Sequence, residues 1–185
     1  MRAFLALFRK DLKSFFDQPT GYILLVIFVV SMAVVEFYSF PSVISANGIL
    51  ASNEASIFPM MALAPWILLF IVPVATMRLL AEELRDGTLE ILLTQPLRMW
   101  TVIMSKFSAG LAFITIGLLM TVTIPIALVS AGNVDAGAVA AQYIATILLT
   151  GSFVSIGLFA SSLTRSQVVP AIAALFIIAV LLIIG

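Results

Sequence analysis

Two groups of residues give this chain somewhere to do chemistry or to grip a partner. One is a lone acid, Glu36, set inside a long apolar run; the other is the charge-dense stretch RLLAEELRDGTLEILLTQPLRMWTVIMSK from Arg78 to Lys106. An ionisable residue inside a membrane-length apolar run is by default a functional candidate, as a proton carrier or a substrate contact. The place of Glu36 near the outer end of its run leaves a plainer role open, a carboxylate that reaches headgroup water. Catalysis has little else to draw on. Histidine and cysteine are both absent, which removes imidazole bases, thiolate nucleophiles, disulfides and the common transition-metal ligands together. An intramembrane hydrolase would need a nucleophile with a positioned base, and no Walker-type phosphate loop occurs. The chain reads as no enzyme, with no cofactor, catalytic residue or metal site of its own.

The elements that hold these residues are dictated by composition. Hydrophobic residues make up 63% of the 185 and charged residues 10%, against roughly 25% charged in a soluble domain. Lipid can solvate that much apolar surface directly. The net charge is zero, but its distribution is uneven. The basic residues fall at Arg2, Arg9, Lys10 and Lys13, at Arg78, Arg85, Arg98 and Lys106, and at Arg165, all on one side of the apolar segments. The connections on the other side carry Glu54 and Asp135 and no Lys or Arg. Excess Lys and Arg in short loops marks the cytoplasmic face. The reading is an all-α integral membrane protein with its N-terminus inside.

Residues 1–19 predict a short interfacial helix. Phe4, Phe8, Leu12 and Phe15 recur at helical spacing, flanked by Leu5 and Phe16 and opposed by Arg9, Lys10, Lys13 and Asp17. Such a helix lies flat at the lipid boundary, or packs on other protein as an ordinary amphipathic helix. Pro19 and Gly21 end it. Five spans follow, at 22–40, 60–77, 107–130, 139–163 and 168–185. Pro65 and Pro73 fall inside the second, and the fourth is rich in Gly and Ser, as suits close helix packing. No signal-peptide cleavage site follows the first apolar run. The sequence stops at Gly185 in apolar residues, which reads as a C-terminally truncated chain. Between spans two and three, residues 78–106 predict two short helices joined at Asp86-Gly87, with Thr88 capping the second and Gln95-Pro96 ending it. By pattern alone this is equally a solvated hairpin that only connects two spans.

These residues resemble a known family. Thr76-Met77-Arg78, Glu82-Glu83, Gly87-Thr88-Leu89-Glu90, Leu92-Leu93-Thr94, Pro96 and Lys106-Phe107 look like the signature region of ABC-2 type permeases, the membrane subunits of a class of ATP-binding-cassette transporters. Phe8 to Phe16 and Pro19 to Tyr22 are similar to the start of the same family. Pro65-Trp66 and Thr76 to Arg78 are closest to its gliding-motility-associated branch. The resemblance covers nearly the whole chain. It implies that residues 1–19 form an elbow at the membrane surface and that 78–106 is a cytoplasmic coupling segment which docks on a separate ATPase. Glu82, Glu83, Arg85, Gly87, Thr88, Leu89, Glu90, Leu93 and Pro96 would form or flank that docking surface. It further implies six spans in a complete chain, ATP-Mg on the ATPase, a second permease copy or paralogue, a bacterial-type inner membrane and outward transport. No nucleic-acid partner is expected, and membrane lipid is. Two other classes stay open on the residues alone: a non-transporting anchor that recruits a cytoplasmic partner through the inner hairpin, and a proton-coupled carrier using Glu36.

Overall fold

A computed structural model of the protein describes residues 2–37, 57–85, 99–129, 135–163, 166 and 168–184. The elements in chain order are α1 (Arg2–Asp17), α2 (Pro19–Phe37), α3 (Phe58–Arg85), α4 (Met99–Thr121), α5 (Thr123–Val129), α6 (Ala136–Ser162) and α7 (Val168–Ile184). Among the described residues there is no strand. Four segments are long and apolar enough to cross a membrane, namely α2, α3 as far as Ala81, α4 with α5, and α6, while α7 is apolar but shorter. The chain is an all-α membrane protein.

Proline and glycine set the joints. Pro19 opens α2, and only Gln18 separates it from α1, whose carbonyl accepts the Gly21 amide at 3.2 Å. A β-carbon on Gly21 would overlap the Phe15 carbonyl oxygen, so glycine is what lets the first turn of α2 fold back on the last turn of α1. Further on, the apolar run expected as one span from 107 to 130 does form one span-length segment as far as Ala127, with a one-residue irregularity at Val122. Pro125 lies four residues after Thr121, so it denies that carbonyl its helical partner and crowds it. The Val122 amide bonds the Leu119 carbonyl at 3.2 Å, and the Ile126 amide bonds the Val122 carbonyl at 3.3 Å, so α5 carries the span on. Asp135 caps α6 by accepting the Gly137 amide at 2.8 Å.

α3 is the axis of the bundle. In its most apolar stretch 56% of residues are buried, against 33% for α2. It packs most extensively against α6, and also against α2 and α7. Helices α3 and α6 run in the same direction, as contacts of Met61 with Thr146, Thr76 with Gly157 and Leu80 with Ser161 advance together along both. Their closest approach is at Gly157, where an added β-carbon would overlap the Thr76 hydroxyl and come within 2.8 Å of Thr76 Cβ. Small residues allow this contact, since lipid supplies no hydrophobic drive between helices and packing must hold them. Outside this core the helices keep apolar faces exposed, with Val26, Ile27 and Val30 on α2 and Ile172, Phe176 and Ile183 on α7. In a membrane protein these are ordinary lipid-facing positions.

Gly157→Ala should therefore lower stability by about 1–3 kcal/mol through overpacking. Thermal unfolding of the detergent-solubilised protein would measure it, and Thr76→Ala in the same chain, which removes the hydroxyl and methyl but keeps the close Cβ, should recover only part of the loss in a double-mutant cycle.

Candidate functional site

The charged residues converge at the end of the bundle where α3 stops and α4 begins. Lys106, on the second turn of α4, is buried, with 3% of its side chain exposed. Its ammonium lies 2.9 Å from Glu83 Oε2 on α3 and 3.6 Å from Asp11 Oδ1 on α1. Lys10 joins from the rim, 3.2 Å from Glu83 Oε1 and largely exposed. A buried ammonium is tolerable only when paired and hydrogen-bonded, because burial alone would cost several kcal/mol. Lys106 meets that condition by drawing one carboxylate from each neighbouring helix.

Local sequence explains how each arrives. Asp11 stands three residues after Phe8 and four before Phe15, on the apolar stripe of α1, so packing that stripe buries its carboxyl. The stripe is seated on α4. Phe15 stacks on Phe113 with ring centroids 4.5 Å apart, and Phe16 meets the same ring edge-on at 5.8 Å. Thus α1 follows α4 for about two turns beyond Lys106, and the amphipathic helix is packed on protein while Arg9, Lys10 and Lys13 remain exposed. Glu83 comes from the continuation of α3. That helix runs unbroken from Phe58 to Arg85, so residues 78–85 extend a span helix, where a separate short helix was expected. Residues 99–106 likewise belong to α4. Burial raises the Asp11 carboxyl above its ordinary value; Lys106 opposes that shift and Glu83 adds to it.

One turn before Glu83, a hydroxyl from α6 enters the backbone of α3. Ser161 Oγ donates to the Met77 carbonyl at 3.2 Å and accepts from the Ala81 amide at 3.0 Å and the Leu80 amide at 3.2 Å. Met77 and Ala81 are the two ends of one i to i+4 step, so Ser161 ties the last turns of α3 to α6 through the helix ladder itself.

The opposite end of the bundle holds Glu36. It is fully buried, and its Oε2 accepts the Met60 amide at 3.2 Å. Met60 lies in the first turn of α3, where amides lack helical partners and a negative charge is favoured. Glu36 thus caps α3 from α2 and does not reach headgroup water. Its Oε1 has no hydrogen-bond partner among the described residues. Nearby on the same end, Tyr143 of α6 and Thr121 of α4 share a hydrogen bond of 3.0 Å between their hydroxyls.

Of the residues expected to form the docking surface, Glu83 is brought into the ion cluster. Glu82 and Arg85 belong to the last turns of α3. Gly87, Thr88, Leu89, Glu90, Leu93 and Pro96 lie outside the described residues. The cluster spans the two points between which residues 86–98 must run, since α3 ends at Arg85 and α4 starts at Met99. A family model for the ABC-2 family transporter proteins matches residues 5–185. The chain belongs to that family. No curated protein and no solved structure matches it. As an ABC-2 family protein it is the membrane component of a transporter, and the interhelical ion cluster is the strongest polar feature among the described residues.

Sequence reading missed the cluster's centre. It counted Lys106 as a topological charge and left Asp11 in the background, although an acid on an apolar stripe is itself a signal of a buried partner. Replacing Lys106 by Met should cost about 3 kcal/mol, because Asp11 loses its close cation and Glu83 keeps only the exposed Lys10. Asp11→Asn should cost much less. Its sign with pH is the test: a raised carboxyl favours the folded state when protonated. That contribution is present below the ordinary value of 3.8 and is lost as pH rises through the raised one. Unfolding midpoints of the wild type should therefore fall with rising pH across that window, with a shallower fall in Asp11→Asn.

Proposed function

We propose that this ABC-2 family chain is the permease subunit of an ATP-binding-cassette exporter, driven by a separate cytoplasmic ATPase. The observation that carries the reading is the buried cluster of Lys106, Glu83 and Asp11. It fastens the elbow helix α1 to both helices that flank residues 86–98. A force applied to that connection would reach α3 and α4 together, and α6 through Ser161. The N-terminus and the connection face the cytoplasm in this reading, supported by the confinement of the basic residues to one side. Glu82, Glu83, Arg85, Gly87, Thr88, Leu89, Glu90, Leu93 and Pro96 form or flank the ATPase-docking surface. Leu89 and Leu93 supply apolar contact area to the ATPase, and the charges set register. ATP and Mg are bound by the ATPase. A second copy or a paralogue completes the transporter in the inner membrane. Pro65-Trp66 and Thr76 to Arg78 favour the gliding-motility-associated branch. Export as the direction follows from the family resemblance.

Affinity purification from native membranes in mild detergent should recover a P-loop ATPase with the tagged chain. In vesicles supplied with that ATPase and ATP, Gly87→Pro and Glu90→Arg should leave insertion intact but reduce transport per ATP hydrolysed at least tenfold. Wild-type transport in both variants would remove the coupling role, and failure to recover any ATPase with the intact chain would remove the permease reading.

A further inference from the structure

Beside the ion cluster, between α1, α2 and α3, lies a cavity of about 470 Å³. That size is within the range of small-ligand sites. Its walls divide by chemistry. One side presents Lys10, Asp11 and Ser14 with Glu83 and Lys106; the other presents Phe15, Leu24, Ala75 and Leu79. Ile23 and Val74 stand at its margin and are themselves exposed, at 56% and 40%. The cavity therefore opens sideways between α2 and α3, onto the surface that the other exposed apolar residues assign to lipid.

The charge arrangement selects the occupant. The four ionic groups sum to zero, so the wall carries no net bias toward an anion. Lys106 is committed to two carboxylates and buried. Lys10 is exposed over 60% of its side chain and has donors beyond the one engaged with Glu83. Asp11 is 7% exposed, and among the described residues its Oδ2 has no hydrogen-bond partner. A buried carboxylate oxygen left without a donor is costly. The wall thus offers one available cation and one unsatisfied anion a residue apart, next to an apolar surface open to the bilayer. A zwitterion with an apolar tail matches all three.

We propose that this cavity binds a bilayer phospholipid whose headgroup carries a primary ammonium, of the phosphatidylethanolamine type. The ammonium donates to Asp11 Oδ2, the phosphate takes Lys10, and the first part of the acyl chains lies on Phe15, Leu24 and Leu79. The rest leaves between Ile23 and Val74. A primary ammonium has three N–H donors, whereas a quaternary choline group has none, so the site discriminates between the two zwitterions as well as against anionic glycerol headgroups. The lipid then wedges the elbow helix against spans α2 and α3. The inference stands apart from coupling to an ATPase, because its readout involves no transport.

The test is native mass spectrometry of the full chain, released from vesicles of equal phosphatidylethanolamine, phosphatidylcholine and phosphatidylglycerol. The expected result is one retained lipid per chain, with phosphatidylethanolamine favoured by about tenfold, the worth of one charge-assisted hydrogen bond. Asp11→Asn should abolish that preference, and Val74→Trp at the mouth should abolish retention. Val74→Trp keeps the ion cluster intact, so it decides the matter if Asp11→Asn fails to fold. Equal retention of the three lipids by the wild type overturns the proposal. So does retention unchanged in Val74→Trp, or displacement of the lipid by millimolar free phosphoethanolamine, which would make the ligand a soluble headgroup.

Discussion

The cost of burying one ammonium governs the basic end of this molecule. Lys106 sits on a helix that is otherwise apolar, at a point where α1 and α3 both close over it. In a medium of low dielectric such a charge either gives up its proton or gathers counter-charges with good geometry. Here it gathers two, from helices separated by 72 residues of sequence between Asp11 and Glu83. No pairwise contact among apolar side chains could impose that register, since a Leu or Phe slides along its neighbour at small cost. The ion pairs fix how far α1 lies along α4 and where along α3 the charged turn must fall. The stacking of Phe15 on Phe113 and the turn at Gly21 then follow within narrow limits.

The same helix that supplies Glu83 is held at intervals along its length by its neighbours, through polar groups near both ends and close packing at the middle. At its start Glu36 caps the Met60 amide, at its middle Thr76 lies against Gly157, and near its end Ser161 enters the ladder. Pro65 and Pro73 lie between these points and deprive the helix of two backbone bonds. A helix so interrupted would be poorly determined by its own backbone. Side-chain hydrogen bonds from α2 and α6 hold its two ends, at Met60 and at Met77 to Ala81, while packing against α6 and α2 holds the stretch that carries the prolines. Its shape is therefore a property of the bundle and not of α3 alone, and a change at one end is felt where those neighbours hold it.

Much of this was legible in the residues, and the failures have physical causes. Membrane spans, the break near Pro19 and the amphipathic α1 follow from local periodicity, which needs no tertiary information. The one-residue irregularity at Val122 inside the third span leaves no periodicity signal, since Pro125 acts on the Thr121 carbonyl and not on the apolar pattern. The inner segment was expected to begin at Arg78, since charge replaces apolar residues there. Yet α3 continues to Arg85, because charge need not end a helix once it has left the hydrocarbon. The cluster was harder still. Lys106, Glu83 and Asp11 each look like ordinary interfacial charges in one dimension. Only Asp11, placed on the apolar stripe of its helix, carried a local sign that it would be buried.

The position of the cluster has a consequence for how movement could pass through this fold. Ion pairs in a buried site are rigid in register but sharply dependent on distance, since their energy falls with separation while the desolvation cost stays. Asp11, Lys106 and Glu83 therefore hold α1, α3 and α4 as a unit under small displacements and release them as a unit under larger ones. Ser161 behaves differently, because a hydroxyl that both donates and accepts can keep one partner while losing the other. So α6 can follow α3 through a smaller change than α1 or α4 can tolerate. A displacement at the end of α3 would therefore meet two couplings of different bond chemistry, of which the ion cluster is the stiffer.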